Sequence, residues 1–124
     1  MSKPPVGSIG WIDLTVDDAS GVKDFYCNVV GWDEAAVQVD DYRDFCVGTD
    51  PENNPVAGIC HARGANKQLP AQWLIYIVVA DLDDSLRQCE AGGGTVLSPA
   101  RSMGGGRVAV IRDPAGAVCA LYEA

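Results

Sequence analysis

The feature that most constrains this chain is a spacing that occurs twice. Val16-Asp17-Asp18, at the end of one apolar run, is matched 63 positions later by Val79-Ala80-Asp81 at the end of another. Asp50-Pro51 and Asp113-Pro114 stand at the same separation. Two landmarks at one period imply two copies of one structural unit, kept as a pattern after most identity has gone. Both copies fit within 124 residues, which is enough chain for a single domain with a buried core.

The order of elements within each copy follows from periodicity. Residues 8–16 are apolar and β-branched and read as a strand. Asp17, Asp18 and Ser20 are helix-cap candidates, and Val22, Phe25, Tyr26 and Val29 recur at helical spacing until Gly31 ends the run. Short strands follow near 35–39, 42–47 and 55–62, the last two separated by the turn-forming stretch 48–54. The polar stretch 63–71 reads as a linker. The order then repeats: a strand at 73–79, a helix opened by Asp81 and carrying Leu82, Leu86 and Cys89, the stop Gly92-Gly93-Gly94, and strands at 95–98, 107–112 and 117–123. The expectation is an α+β fold. A module at 8–62 and a module at 72–124, each βαβββ, share a curved mixed sheet whose helix-free face surrounds a cavity.

Charge and cysteine content narrow the partners. A formal net charge of −8 argues against nucleic acid, whose binding rests on neutralising phosphates with Lys and Arg, and against an anionic membrane surface. A cationic or neutral small molecule is electrostatically easier to accept. The five cysteines contain no CxxC pair and read as free thiols in a reducing cytoplasm. The start of the chain, MSKPPVGS, has no apolar stretch that would serve as a signal peptide.

With these elements in place, the chain resembles the vicinal oxygen chelate superfamily, which includes glyoxalase I, extradiol dioxygenases, fosfomycin-resistance enzymes and bleomycin-binding proteins. The resemblance is carried by residues 10–18, Phe25-Tyr26 and Gly31-Trp32 in the first half. In the second half it is carried by residues 73–79, Asp81-Leu82-Asp83, Gly92-Gly93 and the run from Gly106-Arg107 to Ala117. It implies a divalent metal held by His and Glu side chains on the first and last strands of each module. Such a metal acts as a Lewis acid on two neighbouring substrate oxygens. It also implies a homodimer.

The residues at those positions do not follow the family pattern. Trp11 and Leu74 stand where the two first-strand ligands are expected, and Ala120 stands at the last-strand glutamate. The fourth position falls near 57–59, which offers no donor. His61, the one histidine of the chain, is the only candidate left, and it requires a shift of two or three residues. Strand alternation puts Trp11 and Asp13 on one face, Leu74 with Tyr76 and Ala120 with Tyr122. These six residues would line an apolar, aromatic cavity with one carboxylate. Arg107, and Arg101 near it, would meet an anionic ligand from a glycine-rich loop at the rim. Trp32 and Trp73 read as core or interface anchors.

Three functions remain open from sequence. The first is a metal-free protein of the bleomycin-resistance type that sequesters a cationic or aromatic ligand and needs no cofactor. The second is a divalent-metal lyase, isomerase or dioxygenase centred on His61. The third is an accessory module acting through protein contacts.

Overall fold

The computed structural model describes residues 3–39 and 41–124; the first two residues of the MSKPPVGS start lie outside that range. The chain divides into two compact units. One is Ile12–Trp73; the other joins the N-terminal residues through Trp11 to Leu74–Ala124. Strand β1 (Ile9–Val16) is therefore shared between them.

In the first unit β1 is followed by α1 (Ala19–Val30), β2 (Asp33–Val39), β3 (Tyr42–Gly48) and β4 (Ala57–His61). The strand order is β2-β3-β4-β1. β4 runs parallel to β1, with Asp13 opposite Gly58, and antiparallel to β3, with Cys46 opposite Gly58. In the second unit the order along the chain is β5 (Trp73–Val78), α2 (Leu82–Ala91), β6 (Thr95–Met103), β7 (Gly106–Arg112) and β8 (Val118–Glu123). The strand order is β5-β8-β7-β6. β8 is parallel to β5, with Tyr76 opposite Ala120, and the N-terminal residues Gly7 and Ser8 bond Val78 on the other side of β5.

The repeated landmarks serve the same purpose in both units. The Asp18 carboxylate accepts from the backbone N–H of Gly21, and the Asp81 carboxylate from that of Asp84. Each side chain satisfies one of the N–H groups a helix start leaves unpaired. Gly31 closes α1 at φ 77°, a left-handed conformation that favours glycine. Before β8, Asp113 accepts from the N–H groups of Ala115 and Ala117, which fixes the turn.

Each helix buries one stripe against the strands of its own unit. Ala19 of α1 packs with Phe45, Val47, Ala57 and Ile59, flanked by Tyr26, Trp32 and Trp73. The Trp73 Nε1–H donates to the Tyr26 hydroxyl at 3.1 Å, and the three aromatic rings meet largely edge to face. Trp32 and Trp73 are thus half-buried against the core of the first unit. Leu82 of α2 packs with Ala109 and Leu121, with Ile77, Leu86, Ile111 and Cys119 around them.

Three readings from sequence change. Phe25 and Val29 share the helical apolar pattern, yet both are exposed; the inner stripe of α1 is carried by Ala19 and Tyr26 instead. β6 continues through Pro99 to Met103, well past Ser98. Pro99 lacks an N–H, but β6 is the last strand of its order and its register shifts on either side of Ser98, which is how a proline is tolerated in a strand. The glycine-rich stretch is not an extended loop: Gly104 and Gly105 form a two-residue hairpin turn with φ of 56° and 87°, and Met103 pairs with Gly106. Positive φ at both central residues matches the twist of the flanking strands. Among the described residues no helix is long and apolar enough to cross a membrane.

Candidate functional site

Alternation along each strand separates a helix-facing side from an open side. In the second unit the open side carries Leu74, Tyr76 and Val78 on β5, Ala120 and Tyr122 on β8, and Val108 and Val110 on β7. The first four of these, with Val108 and Val110, are buried or nearly so. Trp11, at the end of β1 that belongs to this unit, completes the set. Trp11, Tyr76 and Tyr122 line one cavity of about 160 Å³, together with Pro4, Gly10, Val78, Met103 and Gly104. Three of the candidates named from sequence therefore meet in one place. Val78 was legible by its parity with Tyr76. Met103 and Gly104 were not, because their approach depends on the tight hairpin.

Leu74 and Ala120 are fully buried on the same open side but do not border the cavity. Arg107 is not brought to it either. It shares the parity of Ala109 and points to the helix side. There its Nε and Nη2 donate to Glu123 Oε1 at 3.0 and 2.9 Å, and Nη1 and Nη2 donate to the Asp83 carboxylate at 3.3 Å each. The two carboxylates raise the Arg107 pKa above its ordinary value, Asp83 foremost. The guanidinium ties the start of α2 to the end of β8. It also borders a separate groove of about 480 Å³ formed with the hairpin, Glu123 and Ala124.

The open side of the first unit has the same topology and different chemistry. It presents Asp13 and Thr15 on β1, Gly58 and Cys60 on β4, and Asp44 and Cys46 on β3. Asp13 and Thr15 are buried. Burial pushes the Cys60 thiol far above the usual range, and the nearby Asp13 and Asp44 carboxylates add to the effect; the thiol donates a hydrogen bond to Asp44. Asp44 Oδ1 also accepts from the His61 backbone N–H at 2.8 Å and lies 3.4 Å from His61 Nδ1. The imidazole sits against the rings of Tyr42 and Phe45. Neither Asp44 nor Cys60 stood out in the sequence, because both lie in short alternating runs with no motif.

The strand register also identifies the fourth expected metal position. Tyr76 faces Ala120 as Asp13 faces Gly58, so the counterpart of Ala120 is Gly58, which has no side chain. His61 lies three residues further on, an odd step that does not return a side chain to the same face of a strand. The four positions therefore carry Trp11, Leu74, Gly58 and Ala120, none of which offers an oxygen or imidazole donor of the kind divalent ions prefer. Among the described residues no three His, Cys, Asp or Glu side chains come together as a metal-holding group. The donor set does not fit the metal that the resemblance implies.

A family model described as Glyoxalase/Bleomycin resistance protein/Dioxygenase superfamily matches residues 8–121. A Mycobacterium bovis protein, CFP32, provisionally named a glyoxylase, is 33% identical over 120 residues, 95% of this chain and 46% of that protein. The anthracycline biosynthesis protein DnrV of Streptomyces peucetius is 29% identical over 136 residues, 99% of this chain and 49% of that protein. The chain thus spans about half the length of the curated relatives it matches. Among solved structures, methylmalonyl-CoA epimerase from Mycobacterium tuberculosis aligns with a TM-score of 0.57 at 18% identity, covering 99% of this chain and 91% of that one. A superfamily member from Vibrio splendidus aligns with a TM-score of 0.59 at 11% identity, covering 92% and 97%. At these identities the structural likeness shows the fold alone.

Proposed function

The chain belongs to the Glyoxalase/Bleomycin resistance protein/Dioxygenase superfamily, and from that premise we propose that it is a small-molecule-binding member that works without a metal. The observation that carries this reading is a substitution of roles. The four positions expected to hold donors carry Trp11, Leu74, Gly58 and Ala120, while Trp11, Tyr76 and Tyr122 border a cavity. An indole and two phenol rings suit an aromatic or cationic organic ligand, through ring–ring packing or attraction of a cation to a π face. The net charge of −8 favours cations over anions in the surroundings. Arg107 supplies no counter-charge to an anion in the cavity, because Asp83 and Glu123 hold its guanidinium.

In this reading the protein sequesters its ligand and does not transform it. It acts as a homodimer in the reducing cytoplasm, where its five free thiols persist. The names of the relatives, glyoxylase for one and anthracycline biosynthesis for the other, are consistent with small organic ligands. Tryptophan fluorescence of the purified chain, titrated with aromatic, cationic and glycopeptide compounds, tests the proposal. A saturable quench with an aromatic or cationic class is the expected result. No response to any class, or a response that appears only after a divalent metal is added, overturns it.

A further inference from the structure

We infer that the cavity bounded by Trp11, Tyr76 and Tyr122 accepts one neutral six-membered aromatic ring, and that Gly10 leaves the room for it. This rests on the proposal that the second unit binds a small molecule, and it narrows the ligand by size and by charge.

Size comes first. The cavity measures about 160 Å³. An apolar protein cavity of about 150 Å³ holds a benzene molecule, whereas drug-sized ligands occupy roughly 300–1,000 Å³. That volume matches one ring more closely than a fused polycycle. Gly10 borders this space, and a Cβ added there meets a single neighbour, Val78 Cγ2, at 3.1 Å. A side chain at position 10 therefore presses on Val78, itself part of the cavity wall. The far wall is fixed in a related way. A Cβ at Gly106 would collide with the Glu123 carbonyl oxygen and fall 2.6 Å from the Tyr122 hydroxyl, so the glycine is what lets Tyr122 lie against the hairpin.

Charge comes second. None of the residues bordering the cavity carries a formal charge. A cation that entered would lose water and find no carboxylate, and the ring faces return only part of that loss. A neutral ring gives up little hydration. It gains edge-to-face packing on the two tyrosines and the tryptophan, together with a thioether contact from Met103.

Titration calorimetry with three probes decides the matter: phenol, 1-naphthol and tetramethylammonium, on the wild-type chain and on Gly10→Ala. Phenol is expected to bind about tenfold more tightly than either other probe, and Gly10→Ala to weaken phenol by about fivefold, as overpacking does. Gly10 is not in a left-handed conformation, so the alanine variant is expected to fold, which its unchanged urea midpoint verifies. Naphthol or tetramethylammonium binding as tightly as phenol overturns the inference and leaves the small-molecule reading standing. Phenol affinity unmoved by Gly10→Ala also overturns it. Should none of the three bind, the inference fails, and the wider panel of aromatic, cationic and glycopeptide compounds judges the binding proposal separately.

Discussion

The two units share one topology and differ in what their open faces offer. Register pairs them position by position: Asp13 with Tyr76, Thr15 with Val78, Gly58 with Ala120, Cys46 with Val110. On the helix side both units pack an apolar cluster. On the open side the first unit is acidic and thiol-rich, while the second is aliphatic and aromatic. The helix-facing core is common to both units, whereas the open faces differ in chemistry. One of them became a cavity lined by rings, and the other a polar cluster around Asp44.

The largest test of this comparison concerns the shared core. Ile59→Ala in the first unit and Leu82→Ala in the second each remove a fully buried side chain and are expected to cost about 2–5 kcal/mol, read from urea denaturation. Similar losses would confirm that the helix-side packing is equivalent. A loss below about 1 kcal/mol in one unit alone would break the equivalence.

Ligand binding comes next. Trp11→Ala is expected to weaken the bound aromatic probe by at least about tenfold, roughly 1.4 kcal/mol. Asp44→Asn, on the other open face, is expected to leave that affinity unchanged. Calorimetric titration of both variants shows whether the two faces act separately; an equal effect of the two substitutions would contradict the division.

The third test uses pH. Burial and two carboxylates hold the Cys60 thiol above its ordinary pKa, so the folded chain keeps a proton that the unfolded chain releases. The resulting stability is fully present below the unfolded thiol pKa of about 8.5 and is lost above it, by up to about 1.4 kcal/mol per pH unit for this one group. Urea midpoints measured from pH 7 to 10 should fall less steeply in Cys60→Ala than in the wild type. Asp44→Asn should speed iodoacetamide labelling of Cys60 at pH 8.5, because one of the charges that opposes the thiolate is gone. Parallel pH slopes would show that Cys60 titrates normally.

The smallest effects are expected at the repeated caps. Asp18→Ala and Asp81→Ala each remove one side-chain acceptor from a helix start, at about 1 kcal/mol apiece. Chemical denaturation of the two variants compares them directly, and the account predicts near-equal losses.

Much of the fold was legible because its signals are local. Asp18 and Asp81 cap the helices that periodicity proposed, Gly31 ends the first of them, and parity alone groups Tyr76 with Val78 and Ala120 with Tyr122. What was not legible depends on neighbours distant in sequence. Pro99 stays in a strand because β6 is last in its order. Phe25 and Val29 follow the helical period, but the period does not say which stripe meets the sheet. Arg107 seemed free to meet an anion until Asp83 and Glu123, contributed by α2 and β8, were seen to hold it. Asp44 sits in an undistinguished run and gains its importance from its contacts with Cys60 and His61 across the sheet.

The central claim is that the second unit binds an organic ligand in the cavity beside Trp11 and needs no metal to do so. Tryptophan fluorescence of EDTA-stripped protein, titrated with the aromatic and cationic panel alongside Trp11→Phe, tests it most directly. The account predicts a saturable quench in the stripped wild type that does not change when Ni²⁺ or Mn²⁺ is added and is lost in Trp11→Phe. A quench that requires the metal, or one that persists undiminished in Trp11→Phe, would contradict it.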